Sequence, residues 1–243
     1  LRANEPETTI IRVTNKISSC GREIGCEDES MKKRMVCFGD SNTWGYNAEN
    51  LTRFSEEIRW PCRLQRILGS DFQIIEEGLS GRTSVMDDPL FEGLNALTYI
   101  HPCLMSHAPL DLVIIMLGTN DTKERFRLTS FNIAQGITRL ARKASQTAAG
   151  INGAYPKVLV LAPPTIGKGY YNTEIHHSMG DNCDKKSKEF PTYLEKMLQD
   201  ENIEFLNLGN QVTMNTIDFM HLDEDGHKLT SELVHNKIME ILE

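Results

Sequence analysis

Residues 110–121 read LDLVIIMLGTND. From Leu112 to Leu117 the run is apolar without a break, and Gly118 ends it before a polar Thr-Asn-Asp turn. A strand with one face in water would alternate apolar and polar side chains; this one does not. It reads as a strand buried on both faces, as in a parallel sheet covered by helices on both sides. Four shorter apolar runs bounded by Gly or Pro share the pattern: RMVCFG (34–39), FQIIEEG (72–78), KVLVLAPP (157–164) and IEFLNLG (203–209).

Helical spacing fills segments between these runs. In residues 129–148, Thr129 or Ser130 is placed to cap, and Ile133, Ile137, Leu140, Ala141 and Ala144 form one stripe. Asp223 is placed to cap a last helix that buries Leu229, Leu233, Val234, Ile238, Ile241 and Leu242. Pro61 suits the start of a helix running to about Leu68. Alternating strands and helices predict βαβ units and a mainly parallel five-stranded sheet, a three-layer α/β/α sandwich of the flavodoxin-like kind. Residues 165–186, TIGKGYYNTEIHHSMGDNCDKK, lack a clear period and read as a loop or short-helix excursion.

Residues 1–30 show no sustained periodicity and end in an acidic cluster, whereas MKKRMVCFGD from Met31 reads as a natural start. The expected organisation is an N-terminal extension, 1–30, and one catalytic domain, 31–243. The competing reading makes TTIIRV (8–13) an edge strand. A net charge of −8 argues against a nucleic-acid surface. No apolar run is long enough to span a bilayer, and the N-terminus has no signal-peptide core, so the expected address is the cytoplasm. The six cysteines (20, 26, 37, 62, 103 and 183) contain no C-x-x-C pair and no zinc spacing, which fits reduced thiols.

In open α/β sheets, ligands bind beyond the carboxyl ends of the strands. The expected strand ends there carry Gly39-Asp40-Ser41-Asn42, then Gly78-Leu79-Ser80-Gly81-Arg82-Thr83, then Gly118-Thr119-Asn120-Asp121, with Asp218-Phe219-Met220-His221 ahead of the last helix. A serine hydroxyl needs an adjacent base; His221 can supply it, and Asp218 can orient the imidazole from three residues away. The N–H groups of Ser41 and Gly81 and the Asn120 carboxamide can together bind an oxyanion.

Taken singly, each residue has a plainer reading. Ser41 could be an N-cap, Gly81 a turn glycine, Asn120 a loop brace, and Asp218 with His221 a surface pair or part of a metal site. Asp121 reads as a cap or loop brace, and Ser80 lacks the G-x-S-x-G pattern of a nucleophile elbow. His227 reads as structural, and His176 and His177 as exposed. A flavodoxin-like binding module without catalysis, and a metallohydrolase built on Asp218, His221, Asp223 and His227, are the readings from other classes.

Together these blocks resemble the SGNH, or GDSL-type, hydrolases, whose blocks contribute Ser, Gly, Asn and His in this order. GDSN holds Ser41, GLSGRTS holds Gly81, LGTND holds Asn120, and DFMH holds Asp218 and His221. The stretches CFGDSNTWGY, RFSEEIRWP, EEGLSGRTS and LDLVIIMLGTNDTKERFR look like the bacterial arylesterase/acyltransferase branch. Position 42 is Asn rather than Leu, a variant that the family tolerates and that leaves Ser41 untouched. Relatives can carry Ala where Gly81 stands, a swap that leaves the backbone N–H in place.

The resemblance implies the SGNH hydrolase fold and a serine esterase acting on short-chain acyl and aryl esters. It implies a Ser41-His221-Asp218 triad, an acyl-enzyme, and release of the acyl group to water or to an alcohol acceptor. It implies no metal or organic cofactor, no nucleic-acid or membrane partner, and a homo-oligomer. Trp44, Tyr46 and Phe126 are expected to line the substrate pocket, with Met116 divided between pocket and core. Residues 165–186 match the branch poorly and are expected to set acyl and alcohol preference. The nearest alternative on the same fold is a carbohydrate O-acetyl esterase.

Overall fold

The computed structural model describes residues 32–242. The expected extension 1–30, the TTIIRV segment, Cys20 and Cys26 lie outside them. The elements run β1 (Lys33–Gly39), α1 (Ser41–Trp44), β2 (Tyr46–Asn47), β3 (Thr52–Arg53), α2 (Trp60–Leu68), β4 (Phe72–Gly78) and α3 (Ala96–His107). They continue with β5 (Leu112–Met116), α4 (Ser130–Ser145), β6 (Lys157–Ala162), α5 (Ile175–Met179), α6 (Cys183–Asp200), β7 (Glu204–Asn207) and α7 (Glu224–Leu242).

Five strands form one sheet in the order β4-β1-β5-β6-β7, each neighbouring pair parallel. β2 and β3 make a separate antiparallel hairpin. All five residues of β5 are buried, as its uninterrupted apolar run requires. β4 lies at a sheet edge and is only half-buried over most of its length, which explains its two glutamates. Chain direction across the sheet reverses between β1 and β5, so the topological switch point falls between the strands that lead to Ser41 and Asn120.

Period-two alternation sends successive strand residues to opposite helical layers. Val36, Phe38, Val113 and Ile115 join one apolar cluster with Ile100 of α3, Ile137 of α4 and Phe190 of α6. Met35, Cys37, Ile114 and Met116 join a second with Trp60 and Leu64 of α2 and Val234 and Ile238 of α7. The expected three-layer sandwich is therefore the observed one.

Local signals explain the helix boundaries. Thr129 caps α4 in a reciprocal capping box with Asn132. Asp223 Oδ1 accepts the Gly226 N–H at 2.8 Å at the start of α7. Pro61 sits in the first turn of α2. α3 and α6 have no counterpart among the segments that periodicity picks out. Each carries an internal proline, Pro102 and Pro191, a residue that counts against a helix interior when the chain is read as sequence.

The 165–186 segment consists of a 3₁₀ turn (Lys168–Asn172), α5 and the first residues of α6. It has a small apolar cluster of its own, in which Ile166, Tyr170, Met179 and Cys183 pack with Met220. No helix among the described residues is long and apolar enough to cross a membrane.

Candidate active site

β1 ends at Gly39, and the chain turns at once into the one-turn helix α1. Asp40 caps it: its Oδ1 accepts the Asn42 N–H at 3.0 Å. Ser41 is thus the first helical residue and not the cap, which corrects the plainer reading of that serine. Gly78, at the end of β4, admits this helix against the sheet edge, because a Cβ there would lie 2.2 Å from the Trp44 backbone nitrogen.

His221 arrives from the loop before α7. Its Nε2 lies 2.9 Å from Ser41 Oγ and its Nδ1 lies 2.6 Å from Asp218 Oδ2. All three side chains are buried, against the reading of Asp218 and His221 as a surface pair. Asp218 Oδ1 accepts from Asn215 Nδ2 at 2.9 Å and from the N–H groups of Met220 and His221 at 3.0 and 3.1 Å. Burial pushes the Asp218 carboxyl up, but the His221 pairing and these N–H donors outweigh it and bring it down to about 2. Asp218 is therefore a carboxylate at every pH at which an imidazole titrates. Asn215 also accepts from the Ile217 and Asp218 N–H groups through Oδ1, folding the loop into a compact turn.

Three donors of the expected oxyanion set have no partner among the described residues. Asn120 Nδ2 is a buried donor that makes no hydrogen bond. The Ser41 N–H opens a helix, where intrahelical bonding leaves it free. The Gly81 N–H likewise has no acceptor, and Gly81 adopts φ +87°, in the left-handed region. An orphaned buried donor is costly and is seldom retained without a ligand to meet it.

Polar braces join the blocks to one another. Leu79 N–H and Arg82 Nη1 both donate to Gly39 O, at 3.1 and 2.9 Å, which fixes the Gly81 loop to the end of β1. Asp121 accepts from the Ser84 N–H at 3.0 Å and from its hydroxyl, tying the Asn120 turn to the same loop. Asp121 is thus a loop brace. Asn42 reaches across to the His221 loop, its Oδ1 accepting the Leu222 N–H at 2.9 Å and its Nδ2 donating to Met220 O at 3.3 Å. Sequence reasoning assigned no site role to Asn42, Arg82 or Asn215. The one available signal was the departure at position 42; the others are polar residues in aperiodic turns.

The expected pocket residues divide. The Tyr46 ring packs on His221, with centroids 4.4 Å apart. Trp44 is half-buried beneath the Arg53 guanidinium, 5.3 Å from its ring centroid. Phe126 is buried in the 3₁₀ turn Glu124–Phe126, beside the Arg125 guanidinium. Met116 belongs to the core cluster with Leu64 and Val234 and is not a pocket wall.

Asp223 and His227 are otherwise engaged and do not build a metal site with Asp218 and His221. Asp223 caps α7, and His227 accepts the Trp60 N–H through Nδ1 at 3.3 Å. Burial, with Arg63 and Arg59 nearby, lowers His227 to about 3, so it is a neutral structural histidine. His176 is half-buried against Tyr171 and hydrogen-bonded to Asp181, whereas His177 is exposed. Glu77, Cys103 and His107 bring ligand atoms within 4.8 Å of one another. Glu77 and His107 are already paired at 2.7 Å, and burial and Glu77 hold the Cys103 thiol up at about 12, which makes this a polar knot between β4 and α3.

Residues 37–229 match the GDSL-like Lipase/Acylhydrolase family. Among solved structures, the native aryl esterase of M. smegmatis is 36% identical, with a TM-score of 0.80 over 86% of this chain and 99% of that one. Est24, a carbohydrate acetylesterase from Sinorhizobium meliloti, is 37% identical, with a TM-score of 0.81 over 86% of this chain and all of that one. An acetylxylan esterase of Xylanibacter ruminicola is 25% identical over 213 residues, 83% of this chain; the chain spans 42% of that protein's length.

Proposed function

The chain belongs to the GDSL-like lipase/acylhydrolase family, whose enzymes are carboxylic ester hydrolases, and on that footing we propose a serine esterase for short-chain acyl and aryl esters. The observation that carries this reading is the buried line from Asp218 through His221 to Ser41 Oγ, at 2.6 and 2.9 Å. Asp218 holds the proton of His221 on Nδ1 and leaves Nε2 as the base. Nε2 takes the Ser41 proton as Oγ attacks the ester carbonyl carbon. The carbonyl oxygen becomes an anion that meets the N–H groups of Ser41 and Gly81 and Asn120 Nδ2. His221 then returns the proton to the departing alcohol or phenol, leaving an acyl-Ser41. A water or alcohol, deprotonated by His221, attacks the acyl carbon, and Ser41 recovers its proton.

Tyr46 and Trp44 wall the acyl or alcohol side in this reading, Tyr46 by virtue of its contact with His221. Phe126 is the third wall. An acceptor alcohol competes with water at the acyl-enzyme, which makes acyl transfer a second outcome of the same site.

The likeness to Est24 and to the acetylxylan esterase favours one further reading, removal of acetyl groups from carbohydrates by the same chemistry. A panel of phenyl acetate, longer phenyl esters and acetylated xylo-oligosaccharides, each with and without added alcohol, separates the two. Strong preference for the sugar esters selects the second reading, and mixed ester products in alcohol establish transfer. Ser41→Ala should lower kcat by roughly six orders of magnitude. Retained turnover in that variant would remove both readings.

A further inference from the structure

We infer that Asn42 is a positioning residue that sets the distance between nucleophile and base, an inference that rests on the Ser41–His221 reading above. Everything that orients the His221 ring through Asp218 lies in its own loop. Asp218 and Asn215 are tied to one another and to the backbone of residues 217–221. These bonds fix the imidazole relative to that loop and say nothing about where the loop stands relative to α1. A triad needs both.

Asn42 supplies the second link. It is the covalent neighbour of Ser41, and its carboxamide grips the main chain on both sides of His221. Oδ1 accepts the Leu222 N–H at 2.9 Å and Nδ2 donates to Met220 O at 3.3 Å. The two bonds join segments about 180 residues apart in the chain, at the two positions flanking the base. Asn42 is 1% exposed, so no solvent competes for either end. Its backbone N–H is meanwhile held by Asp40 Oδ1 at 3.0 Å, which sets the side chain's origin on the nucleophile turn. A carboxamide carries a separate acceptor and donor, so one side chain can accept the N–H and donate to the C=O that flank a single residue. Other contacts also hold this loop: Gly167 N–H donates to Phe219 O at 2.8 Å, the Tyr46 ring packs on His221, Met220 packs in the 165–186 cluster and Leu222 in the core. Apart from the Ser41–His221 bond itself, none of them starts from the nucleophile turn.

Asn42→Leu keeps the shape and removes both polar ends. In steady-state hydrolysis of phenyl acetate, kcat should fall tenfold to about a hundredfold, the scale of a misplacement near 1 Å, while KM stays within about threefold. Inactivation of Ser41 by a fluorophosphonate should slow by the same factor. The downfield proton resonance of the His221–Asp218 hydrogen bond should persist, because that pair is internal to its loop. Asn42→Ser, which is smaller and also too short to reach, provides a second variant with the same expected pattern. A kcat within about twofold of the parent in both variants overturns the inference. Loss of the downfield proton, or failure of both variants to fold, also overturns it, since Asn42 would then be holding the loop together rather than placing it. If the parent protein itself neither hydrolyses phenyl acetate nor reacts at Ser41 with the fluorophosphonate, the esterase reading has failed instead.

Discussion

Asp40 and Ser41 divide two tasks at one turn: Asp40 caps the one-turn helix through its Oδ1, which leaves the Ser41 hydroxyl to meet His221 Nε2, 2.9 Å away. The division has an energetic consequence. Asp40 is buried, and its second carboxylate oxygen has no hydrogen-bond partner among the described residues. A carboxylate with one satisfied oxygen in a closed site favours its neutral form.

That imbalance predicts the pH dependence of stability at this position. Burial raises Asp40 from 3.8 to about 6, against the pull of the Asn42 N–H and the His221 side. The folded state therefore binds the proton more tightly than the unfolded chain does. Its stabilisation is complete below about pH 4 and is lost as pH rises through 6. Asn caps as well as Asp and carries no charge, so Asp40→Asn should gain up to about 3 kcal/mol at pH 8 and little at pH 4. Urea unfolding of both proteins at the two pH values measures the difference, and a gain of equal size at both would refute the assignment.

Asn120 should show an exchange between activity and stability. Its Nδ2 is a buried donor with no partner, so removing it relieves a desolvation cost rather than breaking a bond. Asn120→Ala should leave the melting temperature unchanged or raised while kcat falls by about two to three orders of magnitude. Parallel losses in both would show Asn120 to be a loop brace.

Asp218 predicts a signature at acid pH. Its carboxyl is lowered to about 2, so the stability it contributes is present above about pH 4 and lost as pH falls toward 2. Asp218→Asn removes that dependence, and the difference in stability between parent and variant should shrink from pH 5 to pH 2. The same variant presents an amide to Nδ1 and permits the wrong imidazole tautomer, which should cost kcat about four orders of magnitude. Chemical denaturation across that pH range and steady-state rates at neutral pH test the two parts separately.

The layers, the sheet and the blocks of the candidate site were legible because each leaves a pattern in the chain. β5 is apolar without interruption because both its faces are covered, and the Ser41, Gly81, Asn120 and His221 blocks each follow a strand. α3 and α6 were hidden by Pro102 and Pro191, and the 165–186 segment by its short turns. Residues that hold the site, such as Asn42, Arg82 and Asn215, act across distances that spacing does not report. Asn42 and Leu222 are 180 positions apart, and only the folded chain makes them neighbours.

Gly81 gives the sharpest contrast with Asn120. At the level of sequence, an alanine in this position looks equivalent, because the backbone N–H is all that the oxyanion requires. The structure places Gly81 at φ +87°, where an L side chain is strained whatever space surrounds it. A Cβ there would also come within 3.1 Å of Leu94 Cδ1, the mobile end of a half-buried side chain that can give way. The steric term is thus small and the backbone term dominates. Gly81→Ala should cost about 1–3 kcal/mol of stability, the usual range for a non-glycine residue held in this region. If the loop keeps its conformation, held by Arg82 and Leu79 on Gly39 O, the N–H stays in place and kcat should fall far less than in Asn120→Ala. If the loop instead relaxes to a negative φ, stability returns while the donor is lost, and kcat falls as in Asn120→Ala. Measuring both quantities on the two variants decides which of these two courses the Gly81 loop takes.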